Sequence, residues 1–422
     1  MNRGRFIVVG EYGAFVPFAH AAEQLQLRPE DVRRLIDRAL SSRGFEPENS
    51  YETKGTMFRF AGICGLLALD ANRWIEIVPK FIDESNQDWR EDFLWIVGKT
   101  SSNGINYAAS IHSSSTKKTS LYDLVAKIWC DEFEKNERKL IRKYRQQSWR
   151  SFNLDGEIQE DLTDVASEDG FLQRGLVLTH KNPFNSLLRE AAEVLLRKAA
   201  SPQVSQRLAK AAERLGRRDS KFVLSSVPEL PARNTSWESC MNLSKVVLSS
   251  DTIGYGKPEG MSMPSFIVKT HVTWEQITRQ LCRSVFVGST VTKSSYDFGV
   301  RSKPGAKEGG LTVTPDISVY LANGARLLFD AKYKPGGQHG AVSVSNADIY
   351  ESLAFMEATQ CPDICLIYPS PERVDTPRQL FVTETVRVGK RSIKAVLLGV
   401  SGISQPNGWA MLIKSFKNAY EK

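Results

Sequence analysis

The sequence has no uninterrupted run of about 18 apolar residues, so hydropathy gives it no membrane helix. It has 5 His and no H-E-x-x-H, which argues against a zinc hydrolase, and no G-x-S-x-G, which argues against an α/β-hydrolase serine site. The phosphate-cradling string G-x-x-x-x-G-K-[ST] is also missing; the nearest stretch, Gly299–Lys307, has the wrong spacing, so no nucleotide motor is encoded here. The 6 Cys are scattered, and only Cys361 and Cys365 lie close together, without a second pair or a His cluster to complete a zinc site. Buried free thiols in a reducing compartment follow from that pattern. Near the start, Arg3 and Arg5 precede Phe6–Val9, but Glu11 interrupts the apolar run too early for a signal segment. The run reads as a strand of a cytoplasmic protein.

What is present is an ordinary globular composition over 422 residues, enough for two or three domains, with a net charge of +8. The positive excess is concentrated. Residues 135–150 carry Lys135, Arg138, Lys139, Arg142, Lys143, Arg145 and Arg150 against one Glu, and residues 207–221 carry a second basic set beginning at Arg207. Such stripes either follow a phosphate backbone or form a solvated helix face, and the sequence leaves both open.

The expected fold class is α/β. Residues 1–115 read as a small α+β domain. Pro29, Glu30 and Asp31 open a helix that Gly44 stops, and Thr56–Phe60, Cys64–Leu69 and Trp74–Pro79 are strand-like runs. The Ser-rich stretch 101–120 reads as a linker. Residues 116–245 read as a helical, basic connector, with helical spacing carried from Leu121 through Ile141 and Tyr144. From 246 to 422, short apolar strands alternate with helices, which implies a sheet covered on both faces. There Thr273-x-x-Gln276 reads as a capping box opening a helix.

The chemistry concentrates in "TPDISVYLANGARLLFDAKYK", residues 314–334. An apolar strand ends in Asp330-Ala331-Lys332, and Asn323-Gly324 marks a turn back to Asp316. The register decides whether a site exists. A two-residue turn pairs Asp316 with Ala331 and puts the two aspartates on opposite faces. A three-residue turn, Ala322-Asn323-Gly324, pairs Asp316 with Asp330 on one face about 5 Å apart. In that register Lys332 shares the face, because side chains alternate along a strand. Two such carboxylates want a cation between them. Mg²⁺, or Mn²⁺ in its place, takes one or two carboxylates, and the Ala331 carbonyl adds an oxygen.

Pro315-Asp316 followed by Asp330-x-Lys332 resembles the PD-(D/E)xK nuclease signature. The blocks "VVGEYGAFVP", "GLLALDANRWIEIVPKF", "KNPFNSLLREAA" and "DAKYK…NADIYESLAF" then resemble the McrC family, the nuclease subunit of modified-cytosine restriction systems. The resemblance implies a C-terminal nuclease domain with a central mixed sheet, and catalytic Asp316, Asp330 and Lys332. It implies Glu275 as an upstream acid, although an acid early in a helix is also favoured by the dipole alone. Glu351 stands where some members carry Gln, with Phe355 where they carry Tyr; this departs from their pattern for a DNA-positioning residue. Lys139, Arg142, Lys143 and Arg145 are the candidate phosphate contacts. An AAA+ GTPase partner resembling McrB, docked by the N-terminal domain, and double-stranded DNA, with or without modified cytosine, are implied in the same way. Two other readings remain: a DNA repair or recombination nuclease acting alone, and a non-catalytic scaffold of an AAA+ ring.

Overall fold

The computed structural model describes residues 5–70, 72–83, 88–100, 120–159, 168–216, 223–252, 266–302, 308–333, 343–373 and 380–420. The chain divides into two compact units, Met1–Leu124 with Ser250–Lys422, and Val125–Ser249.

In the first unit, residues from both of its sequence segments share one sheet. Its strand order is Arg5–Gly10, Arg73–Val78, Ile63–Ala68, Phe266–Lys269. Arg5–Gly10 runs parallel to Arg73–Val78, and Phe266–Lys269 runs antiparallel to Ile63–Ala68. Every residue of Ile63–Ala68 is buried, as a continuous apolar run requires. The helix Pro29–Ser41 starts as its sequence indicates, with Pro29 in the first turn and Glu30 and Asp31 at the positive end.

The second sheet of this unit has six strands, in the order Thr290–Thr292, Ile317–Tyr320, Arg326–Ala331, Asp363–Arg373, Arg391–Ser401, Leu380–Val388. The inner pairs that join Arg326–Ala331 to Asp363–Arg373 and on to Arg391–Ser401 are parallel, and the outer pairs are antiparallel. Both faces are covered. Leu328, Ile364, Leu366, Ile393 and Ala395 pack with Phe355 and Met356 of the helix Asn346–Thr359. On the other face, the Phe329 ring lies 5.8 Å from both Phe286, at the end of the helix Thr270–Val285, and Phe416 of the helix Gly408–Tyr420. Burying a side chain of this size contributes roughly 1.5–3 kcal/mol. A one-residue slip would turn Phe329 to the wrong face, so this packing fixes the hairpin's register.

The Thr270–Val285 helix corrects the expected capping box. The Phe266–Lys269 strand leads straight into it, so the helix begins one turn before Thr273. The Thr273 hydroxyl instead donates back to the Lys269 carbonyl at 3.1 Å. Glu275 therefore lies in the second turn, where the dipole offers it little.

The second unit is not purely helical. The helix Leu121–Asn136 stops well before Tyr144, and Lys143–Ser151 is a strand paired along its whole length with Phe171–Thr179, which Glu157–Ile158 flanks on the other side. Continued as a helix, Arg138, Arg142 and Arg145 would stack like charges three and four residues apart, which is unfavourable; instead Arg138 lies in the short turn Glu137–Lys139, Arg142 precedes the strand, and Arg145 stands within it. The helices Pro183–Lys198 and Pro202–Arg214 follow, each with a side-chain cap from Asn182 or Ser201. The Ser-rich linker read over 101–120 lies outside the described residues except for Ser120, as do Arg217, Arg218 and Lys221 of the second basic set.

Among the described residues no helix is long and apolar enough to cross a membrane. All six cysteines are buried and free.

Candidate active site

The hairpin adopts the three-residue turn. Leu321 N–H donates to the Ala325 carbonyl at 2.9 Å, and Gly324 N–H returns to the Leu321 carbonyl at 3.0 Å. Gly324 has φ +82°, a left-handed conformation that glycine takes without strain. Beyond the turn, Tyr320 pairs with Arg326 and Ile317 with Phe329. The next pair outward is Asp316 opposite Asp330. The two are hydrogen-bonded through the backbone: Asp316 N–H donates to Asp330 Oδ1 at 3.4 Å, and Ala331 N–H to Asp316 Oδ2 at 3.1 Å. In an extended strand one residue's N–H and C=O point to the same edge, so the Ala331 carbonyl also faces the Asp316 side.

Lys332 directly follows the strand, its N–H donating to the Ile367 carbonyl at 3.0 Å. Its ammonium sits 2.6 Å from Asp330 Oδ2, 2.5 Å from Glu351 Oε2 and 3.6 Å from Asp348 Oδ1. Asp348 is placed by a cap, with the Ser345 hydroxyl 2.7 Å and the Tyr368 hydroxyl 3.2 Å from its Oδ2.

Asp330 is 4% exposed. Burial pushes its carboxyl up to about 6; the Lys332 ammonium pulls it down, and the charge of Asp316 adds to the rise. For Lys332, burial favours the neutral form, but the bonds to Asp330 and Glu351 outweigh it and lift the amine above its usual value. Lys332 is therefore a charged side chain across the neutral range.

Glu275 joins the site through a residue that sequence reasoning missed. Lys293 lies 2.9 Å from Glu275 Oε1 and 3.1 Å from Asp316 Oδ1. Arg279, one turn beyond Glu275, pairs with its carboxylate and donates to the Asp316 carbonyl at 3.3 Å. Lys293 follows a three-residue edge strand and has no local motif, so only the fold could reveal it. Asp348 was legible: Ser345-x-x-Asp348 is a capping-box pattern.

Among the described residues no three or more His, Cys, Asp or Glu side chains form a closed metal cage. The donor set is instead two carboxylates and a backbone carbonyl, all hard oxygen. This fits Mg²⁺, which keeps much of its water shell and takes few protein ligands. Each carboxylate has acceptor positions beyond the bonds above. The two ammonium groups show that the cluster draws positive charge.

The four basic candidates lie in the second unit and are all exposed. Lys139 and Arg142 line a cavity of about 570 Å³ with Tyr144, Arg233 and Trp237. Lys143 and Arg145 line a second one of about 1060 Å³ with Lys181 and Arg189. Arg207 of the other basic stretch is committed within the fold, bonded to Asp131 at 2.5 Å and Glu134 at 2.7 Å.

The family profile described as McrBC 5-methylcytosine restriction system component matches residues 58–369, most of the chain. The chain belongs to the McrBC family. No curated protein sequence matches it. Among solved structures, it superposes on a chain of the refined half-complex from the tetradecameric assembly of Thermococcus gammatolerans McrB AAA+ hexamers with bound McrC. That match has a TM-score of 0.73 at 12% identity, covering 98% of this chain and 99% of the other. A chain of the cryo-EM structure of the Thermococcus gammatolerans McrBC complex matches with a TM-score of 0.53 at 11% identity, covering 65% of this chain and 86% of that one. At such identities the likeness is one of fold. The shared fold extends over nearly the whole chain.

Proposed function

We propose that this McrBC-family chain is the McrC-like, Mg²⁺-dependent endonuclease subunit of its restriction system, hydrolysing DNA phosphodiester bonds in concert with an AAA+ GTPase partner resembling McrB. The observation that carries this reading is the convergence of Asp316, Asp330 and Lys332 on one face at the end of a buried strand, in the order of the PD-(D/E)xK signature. A bound Mg²⁺ would supply charge neutralisation at the phosphoryl oxygens and a more acidic water. Asp316, Asp330 and the Ala331 carbonyl are the groups that would hold it. Lys332, charged and anchored between Asp330 and Glu351, is positioned to stabilise negative charge developing on the phosphate or to orient the attacking water. Glu275 completes the acidic edge through Lys293. Glu351 holds the same Lys332 ammonium as Asp330, which gives it a positioning role without the Gln seen at that place in some relatives.

DNA delivery is assigned to the exposed Lys139, Arg142, Lys143 and Arg145, which present positive charge beside the exposed Tyr144 ring. The partner follows from the family and from the neighbouring structures, whose description names McrB hexamers with bound McrC.

The test is DNA cleavage by the purified chain with Mg²⁺, with and without its AAA+ partner and GTP. Cleavage that requires the partner and is lost in both Asp330→Ala and Lys332→Ala supports the reading. Cleavage without any NTPase would favour a nuclease acting alone. An inactive wild type with the partner present would favour a scaffold.

A further inference from the structure

The stretches "GEYG", "IVPKF" and "DAKYK" are far apart in the sequence, yet they meet at one buried carboxylate. Glu11 is 2% exposed. Its Oε1 accepts the Thr270 hydroxyl at 2.5 Å, and its Oε2 accepts the Tyr333 hydroxyl at 2.5 Å and the Lys80 N–H at 3.2 Å. The Lys80 ammonium lies 3.9 Å from the centre of the Tyr333 ring. Phe81 packs against Trp274 and Tyr333, with ring centres 5.6 and 6.2 Å away.

We propose that Glu11 is a positioning residue for the cleavage site. It pins Tyr333, and so the strand end that carries Lys332, and it pins Thr270, which begins the helix that carries Glu275. The inference rests on the nuclease reading above. The geometry is specific. Lys332 and Tyr333 are neighbours whose side chains leave the extended backbone in opposite directions. Lys332 turns to Asp330 and Glu351, while Tyr333 turns to Glu11. The backbone entering Lys332 is held by the Ile367 carbonyl, which accepts both the Lys332 N–H at 3.0 Å and the Trp274 indole N–H at 3.2 Å. One carboxylate thus ties the two elements that deliver the site's lysine and its upstream acid, and it does so from the N-terminal sheet, because Glu11 directly follows Arg5–Gly10.

Stability alone does not call for an acid here. Burying a carboxylate costs several kcal/mol before its partners repay it, and replacing such a buried set as a whole by packed apolar side chains is often neutral or stabilising. A carboxylate differs from an apolar side chain in offering two oxygens that orient Tyr333 and Thr270 together.

The test uses the full chain with its AAA+ partner and compares wild type, Glu11→Leu, Glu11→Gln, Tyr333→Phe and the Glu11→Leu/Tyr333→Phe double variant, with Asp330→Ala as the inactive control. Two readouts are taken: hydrogen exchange of the peptide spanning 326–333, and the cleavage rate at saturating DNA against KM. A loosened strand end is expected to exchange faster and to lower kcat roughly ten- to a hundredfold, because small misplacements of a catalytic group cost that much, with KM changed by no more than about twofold. Glu11→Gln, which keeps one acceptor oxygen, should recover part of the loss seen in Glu11→Leu. The double variant should be no worse than the worse single one. If Glu11→Leu fails to fold, Tyr333→Phe, which removes one hydroxyl and keeps the ring, carries the test. Unchanged exchange at 326–333 in Tyr333→Phe, or fully additive losses in the double variant, would overturn the proposal. Should wild type and Asp330→Ala both fail to cut DNA, the nuclease reading falls, and the exchange data still decide whether Glu11 pins the strand end.

Discussion

Asp316 and Asp330 face each other across an odd-residue turn, and the backbone beside each holds the other: the Asp316 N–H reaches Asp330 Oδ1 at 3.4 Å, and the Ala331 N–H reaches Asp316 Oδ2 at 3.1 Å. The acids are therefore oriented before any cation or DNA arrives. Replacing either by Asn keeps shape and most hydrogen bonding but removes one negative charge. Asp316→Asn and Asp330→Asn should each lower single-turnover DNA cleavage by roughly 10²–10³, the scale of losing one preorganised electrostatic contact. Thermal melting run alongside separates this from unfolding. Wild-type cleavage by either variant would remove the pair from the mechanism.

The turn that creates this pairing has its own signature in stability. Gly324 sits at φ +82°, and a Cβ there meets no neighbour within 4 Å, so any cost of substitution is conformational. Gly324→Ala should destabilise the chain by about 1–2 kcal/mol, and Gly324→Asn by less, since Asn tolerates the left-handed region. Urea denaturation of the two variants checks this. Equal stability would mean that residue 324 leaves that conformation at little cost.

Much of this was legible because it is local. Asn323-Gly324 with alternating apolar neighbours restricted the hairpin to two registers, and the burial of Phe329 against Phe286 and Phe416 selected one. The sheet covered on both faces followed from continuous apolar strands. The misreadings come from competition between local pattern and pairing. The helical spacing read from Leu121 through Tyr144 runs into Lys143–Ser151, which finds a nine-residue partner strand in Phe171–Thr179. Thr273 had the form of a cap but lies inside a helix that starts from a strand. Lys293 and Glu11 reach their partners only through tertiary contacts, and nothing near them in the chain announces it.

Lys293 places a positive charge between Glu275 and Asp316, where it competes with any cation drawn to the same acids. It is 40% exposed, so water screens the effect. Lys293→Met should lower the Mg²⁺ concentration giving half-maximal cleavage by about two- to fivefold, the equivalent of ~0.5–1 kcal/mol. An Mg²⁺ titration of the variant that overlays wild type would show that Lys293 does not face the cation.

Glu351 and Lys332 should separate in severity. Lys332 touches three acids and is the charged group nearest Asp330, whereas Glu351 is half exposed and acts through Lys332. Lys332→Met should abolish detectable cleavage, while Glu351→Gln, which keeps an acceptor oxygen, should retain activity to within roughly tenfold. Equal loss in both, with DNA affinity unchanged, would place Glu351 directly in the chemistry.

Asp92, in the helix Trp89–Thr100, offers a test of the fold away from the site. Its buried carboxylate accepts the Gly402 N–H at 2.6 Å, the Ser404 N–H at 3.0 Å and the Ser404 hydroxyl at 2.6 Å. Burial nevertheless pushes it from 3.8 up to about 6, against the pull of those bonds and with a small rise from Asp88. The folded state therefore binds this proton more tightly than the unfolded chain. The stability it contributes is full below about pH 4 and is lost as pH rises through about 6, up to roughly 3 kcal/mol in all. Asp92→Asn carries no titrating proton, and its amide would set a donor against the Gly402 or Ser404 N–H. The variant should be less stable at pH 4. Its deficit should shrink as pH rises to 7, because only the wild type loses the protonated form. Denaturant unfolding of both proteins at pH 4, 5, 6 and 7 measures this, and a stability difference constant across that range would show that folding does not raise the Asp92 carboxyl.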